Sequence, residues 1–451
     1  MAFQSYFTPL ANPDGQVVRC DLGGGQAGSF GASAFDSSIL GGHLSATGSH
    51  YIAAVASTVV MGCTNRIPVF SGAVTGIYNS VLNGINNTAS GYYSSVLGGK
   101  FNAAQAAATA AVASCYATVI NGGGADATGA GIGNQASGNF SLVGNGQTNL
   151  ALGDFSFVGN GGGGTAAGPL GNQATGCYAF IGNGISHTAS GYLSYIGGGA
   201  GNLASGIAAM VGGGFQNLAR PNYSTISGGY GNVVDTSSDY SHIGGGRQHI
   251  IQSQFGAVVG GRDNHITTSS DYSFIGGGCS STINAPHNVI GGGKDHTIGN
   301  GGTGSFNVIA GGQTNKIFGD NAGIVAGYCN CVFASGFHAL VGAGACNFVH
   351  ASSFSSITGG YKNTVSGSYS AILGGCGNTD SGYSFVGIYG RGITASTVPG
   401  PSSLWMNEAV IPTMPAGTTG GGGAPVAPGG YPLGSLWYHI DANGNCPVYI
   451  K

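Results

Sequence analysis

From about Phe140 to Gly387 one phrase of apolar and small polar residues returns along the chain. Its clearest copies are Y-S-H-I-G-G-G from Tyr240, Y-S-F-I-G-G-G from Tyr272 and Y-S-T-I-S-G-G from Tyr223. The Ile or Val of each copy serves as its anchor. Val143, Ile196, Ile226, Ile243, Ile275, Ile357 and Ile372 are seven of these anchors, and Val386 reads as the last. Most successive gaps are 15 residues, and the longest are 19 and 23. A fixed period of this kind is the mark of a repeat architecture.

Each position in the phrase has its own chemistry. Phe or Tyr predominates three residues before the anchor, every residue two before it is small, and the one directly before it varies. Side chains alternate faces along a strand, so the anchor shares a face with the small residue and the aromatic shares the other face with the variable one. Both faces are substantially apolar, which predicts a strand covered on both sides. The glycine run after the anchor ends the strand in a turn or a close backbone approach.

A second signal falls six residues past the anchor. Asn occupies it as Asn149, Asn202, Asn217, Asn232, Asn264, Asn315, Asn330, Asn347, Asn363 and Asn378, and His as His187, His249 and His296. Asn tolerates left-handed backbone and bonds its own turn, so stacked copies would form a ladder up one corner. The histidines could instead form a metal line, but no carboxylate or Cys recurs beside them, and no metal or cofactor is expected.

About 15 residues is too short for a helical repeat and suits one coil of a parallel β-solenoid, with two short strands and two turns. The expected fold is therefore an all-β, repetitive parallel β-solenoid, or β-roll. A coil this small encloses a thin core. Its second apolar face needs a partner, most simply further copies of the same chain, and threefold closure would bury it in every copy alike.

Composition agrees with an ordered fibre. The 451 residues include 92 Gly, 20 Phe and 21 Tyr; 42% are hydrophobic and only 6% are charged, against a usual charged share of roughly 25%. Glycine is not at every third position, which excludes collagen. Net charge is −3 and the charges are scattered, which gives no case for nucleic acid or a membrane surface. No stretch approaches 18 apolar residues, so no membrane insertion is expected. The N-terminus M-A-F-Q-S-Y-F-T-P-L does not read as a signal peptide. The ten cysteines are irregularly spaced and read as small semi-buried fillers.

The pattern divides the chain into five stretches. Residues 1–34 read as a leader and possible docking segment, 35–139 as degenerate repeats with an Ala-rich insertion, and 140–390 as the regular solenoid. Residues 391–432 are a Pro/Gly-rich linker, and 433–451 read as a β-hairpin around D-A-N-G-N. The near-duplicates at 132–146 and 170–184 predict some shorter coils. The insertion in D-T-S-S-D-Y-S predicts a single variable edge.

The unit Y-S-x-I-G-G-G-x-x-N, followed in several copies by x-x-S-G, resembles the head repeats of trimeric adhesins. Similar arrays occur in bacteriophage fibre and appendage proteins, and the W-Y-x-I-D-x-N-G ending is similar to the ends of phage fibre proteins. The resemblance implies a left-handed β-roll and three chains, either intertwined or side by side. An autotransporter adhesin would carry a signal peptide, a coiled-coil stalk and a membrane anchor, so the phage reading is favoured. G-x-S-x-G, H-E-x-x-H and paired carboxylates on one strand are absent from the sequence. The expected function is a non-enzymatic structural fibre of a phage virion, on the tail or decorating the capsid. It would bind other virion proteins at one end and a host surface glycan or protein. A cellular adhesin or matrix filament is the alternative.

Overall fold

The computed structural model describes residues 16–18, 30–32, 38–40, 50–52, 58–59, 64–67, 78–105, 116–124, 133–165, 168–169, 171–300, 303–350, 352–395, 403–406, 436–438 and 448–450. They belong to two units, Met1–Gly261 and Arg262–Lys451. Each is a parallel β-solenoid with about 15 residues per turn, and no helix occurs among the described residues.

One coil of the first unit shows the construction. Thr225–Ile226 pairs in parallel with Met210–Val211 on one side and His242–Ile243 on the other. Eight residues on, Val233–Val234 pairs with Leu218–Ala219 and with Ile250–Ile251. Between the two strands a single bridge position, Tyr230, stacks on Phe215 and Arg247. A coil therefore has three stacked sides: an anchor strand, a bridge side and a second strand. The second unit repeats this, with Ser356–Ile357, Tyr361 and Thr364–Val365 in one coil.

Two inward rows make the core. The anchors Val143, Ile196, Ile226, Ile243, Ile275 and Ile357 are fully buried and Ile372 is nearly so. The facing row lies eight residues past each regular anchor. In the first unit it is Ala from Ala89 to Ala219, and it enlarges to Val234 and Ile251. In the second unit it runs Ile266, Ile283, Ile298, Ile317, Val332, Val349 and Val365. Each buried Val or Ile contributes roughly 1.5–3 kcal/mol.

Several expectations change. The anchor strand is mostly two residues long, so the aromatic three before the anchor is not on its outer face but in the corner that precedes it. The residue before the anchor does face out, but nothing in one chain covers it; Leu340, for example, is 48% exposed. The last anchor is Ile388, not Val386, because Ile372 registers with Ile388. Residues 132–146 and 170–184 are not short coils. Asn134 and Asn172 stand at the Asn corner, and Gln135–Ala136 and Gln173–Ala174 are second strands. The extra length lies just before that corner, where Gly164–Thr165 and Gly168–Pro169 form a small antiparallel ribbon. The turn at Thr236–Asp239 precedes the aromatic instead, so insertions use two edges rather than one.

The leader already holds strands of both sheets: Gln16–Val18 pairs with Ser38–Leu40, and Phe30–Ala32 with His50–Ile52. Ala103–Ala104 of the Ala-rich interval is a second strand, and residues 106–115 lie outside the described ones. Leu436–Tyr438 pairs antiparallel with Val448–Ile450, while the Pro/Gly-rich stretch from 407 to 435 lies outside the described residues.

Candidate functional site

Three columns of repeated residues could act: the Asn corner, the aromatic corner, and the polar and thiol groups of the bridge side.

The Asn corner is built around glycine. Three residues past the anchor the backbone needs a left-handed turn; at Gly229 φ is 98°, and an added Cβ would lie 2.1 Å from the Gly246 carbonyl oxygen. The residue just before the Asn is also left-handed, as at Gln216, Asp263 and Lys362. The Asn itself is absent from the left-handed set, contrary to the expectation. It is fully buried and bonds across three coils. Asn217 donates its backbone N–H to Asn202 Oδ1 (2.9 Å), and its Nδ2 donates to the carbonyls of Gly213 (2.9 Å) in its own coil and Gly229 (3.0 Å) in the next. Asn149, Asn202 and Asn232 use Nδ2 in the same way. So do Asn315, Asn330, Asn347, Asn363 and Asn378. Asn264 donates to the Gly278 carbonyl and accepts from the Ser281 N–H.

The histidines substitute for Asn within this ladder. His187 donates its backbone N–H to Asn172 Oδ1, and its Nδ1 accepts the N–H of Asn202 (3.1 Å). His296 Nδ1 accepts the N–H of Asn315 (3.1 Å). An accepting Nδ1 fixes the neutral tautomer with hydrogen on Nε2. Burial pushes the pKa of both rings below the usual imidazole value, against the raising effect of nearby backbone groups. Among the described residues no group of three or more His, Cys, Asp or Glu is placed to hold a metal ion.

The aromatic corner is the feature sequence reasoning misplaced. Tyr78, Tyr93, Tyr116, Phe140, Phe155 and Tyr178 all have φ between 52° and 59°. Their rings stack face to face, with successive centroids 4.7–5.2 Å apart. Tyr223, Tyr240 and Phe255 continue the same geometry in the first unit. In the second unit Tyr272, His287 and Phe306 stack, as do His338, Phe354, Tyr369 and Phe385. These rings are exposed; Tyr240 is 54% and Phe306 60% accessible. A left-handed backbone costs a β-carbon-bearing residue roughly 1 kcal/mol, and stacking between successive rings is worth about 0.5–1.5 kcal/mol. The ring faces are taken up by their neighbours, so only the edges are presented outward.

The bridge side holds Cys279, Cys329, Cys346 and Cys376, all half-buried and unpaired. Arg262 lies 3.3 Å from Cys279 Sγ; hydrogen bonds from Ser280 and Arg262 lower that thiol's pKa. These groups are spread along the stack and assemble no nucleophile–base pair. No protein-family model matches the chain, and no curated protein matches it in sequence.

Proposed function

We propose that this chain is a non-enzymatic structural subunit, a fibre protein of a bacteriophage virion that assembles as a homotrimer. The observation that carries the reading is the exposed, stacked ring column in each unit. Soluble monomers tolerate contiguous apolar patches of only a few hundred Å², and a column spanning coil after coil needs a cover. The repeated buried polar group, Asn, is committed to backbone hydrogen bonds and not to chemistry. The resemblance of the Y-S-x-I-G-G-G-x-x-N unit to adhesin heads and phage fibres supports both the number three and the virion. The fibre would join other virion proteins at one end and meet the host surface along its length or at the other.

Mass measurement in native buffer tests the assembly: three copies are expected, and a stable soluble monomer near 44 kDa would overturn it. Electron microscopy of purified virions with a label at the C-terminus tests the location; label on a tail or capsid fibre is expected.

A further inference from the structure

We infer that the side carrying the anchor strand, and neither of the other two, is the surface that packs against further copies of this chain. This rests on the self-assembly reading above and adds which face is used.

The first observation is a partition of charge. The outward positions of the anchor side are the aromatic corner and the residues directly before and after each anchor. Among the described residues of either unit, no Asp, Glu, Lys or Arg occupies them. Asp154, Asp239, Asp271 and Asp320 stand one residue before the corner, and Asp154, Asp239 and Asp320 each accept a backbone N–H from the preceding coil there. Other charges lie on the other sides. On the bridge side Arg262 pairs with Asp263 and Lys294 with Asp295. On the second-strand side Arg220 pairs with Asp235 at 3.5 Å. The ring and anchor-flanking positions are thus clear of charge, and three of the four acids beside them are tied to backbone N–H groups, which is the composition of an interface core.

The second observation is a compensation of size. Where the residue before the anchor is small, the one after it is large and apolar: Ser95 with Leu97, Thr118 with Ile120, Gly323 with Val325. Where the first is large, the second is small: Met210 with Gly212, Phe274 with Gly276, Leu340 with Gly342. From the coil of Val81 to that of Ile388 this holds in all but three coils, those anchored on Ile226, Ile243 and Ile357, and no coil carries two large residues. Part of the cause is local. A Cβ on Gly159 would meet Phe157 Cε1 at 3.1 Å, so a ring before the anchor lies over the glycine after it. That accounts for glycine beside a ring but not for Leu97 beside Ser95. Constant bulk per coil gives a face of even height, which close packing requires and solvation does not.

The occupant follows from the pitch. Ring centroids on this side recur every 4.7–5.2 Å in the long column, the spacing of stacked strands, about 4.8 Å. A partner meeting every row must rise at the same rate, and a second copy of the chain does. The exposed ring faces that a sugar would stack on are already filled by neighbouring rings.

The test places the photoreactive residue p-benzoylphenylalanine at Phe274 on the anchor side or at Phe348 on the second-strand side, in the full chain. Tyr195 is a second anchor-side position in case one variant misfolds, which circular dichroism would report. After irradiation, denaturing gels should show chain-to-chain adducts from positions 274 and 195 and none from 348. An assembled protein with no adduct from the anchor side, or with adducts from 348, overturns the face assignment and leaves self-assembly standing. A monomer by native mass spectrometry overturns both.

Discussion

Tyr223 and Tyr240 occupy the same left-handed corner of consecutive coils, at φ of 55° and 60°, with ring centroids 4.9 Å apart and planes 6° from parallel. Neither the backbone nor the exposure favours a tyrosine there. What favours it is the neighbouring ring: Tyr240 has Tyr223 on one side and Phe255 on the other, while Tyr223 begins the column above Ala208.

The Asn ladder should be sensitive to loss of a single rung. Asn232→Leu removes the acceptor for the His249 N–H and both Nδ2 donors. The unfolding midpoint should fall by the equivalent of about 1–3 kcal/mol, the cost of unsatisfied buried groups. Asn264→Leu should behave alike. Chemical denaturation followed by circular dichroism checks both, and neutral outcomes would remove the ladder's structural role.

Acid should weaken the fold through His187 and His296. Both have folded pKa values lowered from 6.5 by burial, while the unfolded rings keep that value. Below 6.5 the unfolded chain therefore binds more protons, so stability is full above that pH and falls as pH drops towards the folded values. Protonating Nδ1 also sets a proton against the Asn202 or Asn315 N–H. Urea midpoints at pH 7.5 and 5 should differ, and the difference should shrink in the double variant His187→Asn, His296→Asn.

Adjacent glycines should respond oppositely to alanine. Gly228 has nothing within 4 Å of an added Cβ, whereas Gly229 is left-handed and meets the Gly246 backbone at 2.1 Å. Gly228→Ala should change stability by less than about 0.5 kcal/mol. Gly229→Ala should cost more than ~1–3 kcal/mol, since both strain and overlap act. Thermal melts of the two variants decide it.

The two core rows should tolerate different errors. Ile243→Ala leaves a cavity and should cost roughly 2–5 kcal/mol. Ala204→Ile overfills a row built for Ala and should cost about 1–3 kcal/mol. The size match between rows is the property under test, and denaturant midpoints measure it.

Thiol reactivity should follow burial. Cys331 is buried and its pKa is pushed up to about 11, chiefly by desolvation, while Cys177 is exposed. Iodoacetamide at pH 8 on the native protein should modify Cys177 and spare Cys331, as peptide mass mapping would show.

The anchor row was legible in the sequence because Ile and Val recur there against small neighbours, and period alone exposes it. The facing row was not. Most of its members in the first unit are Ala, such as Ala189, Ala204 and Ala219, which carry little hydrophobic signal against a Gly-rich background. Asn134 and Asn172 escaped because extra residues before the corner break a count taken from the anchor. The aromatic corner was misplaced because strict alternation assumes a longer strand. Here the strand is as short as His242–Ile243, and Tyr240 sits beyond its start. That the ring and anchor-flanking positions carry no charge could be recognised only once the columns were known.

The hydrogen bonds that join coil to coil at the Asn corner have a direction. Each backbone N–H reaches back to the previous coil and each Nδ2 has a forward bond to a glycine carbonyl of the next, although at Asn330, Asn347 and Asn363 Nδ2 also lies against the previous Oδ1. A stack interrupted between coils is thus left with two unlike ends: a carboxamide lacking its onward partners on one, and an amide hydrogen with a glycine carbonyl on the other. Such ends are complementary to each other and to any coil added in sequence. Ordering should spread from a nucleus coil by coil, as in other one-dimensional arrays. A fragment cut within a stack should tend to rejoin head to tail and to resist capping by a blunt, symmetric partner. In Asn378 the forward reach ends on the Gly390 carbonyl, and its Oδ1 takes the N–H of Ile393. The side-chain ladder thereby ends on a non-ladder residue, while the anchor sheet runs on to Ser403–Met406.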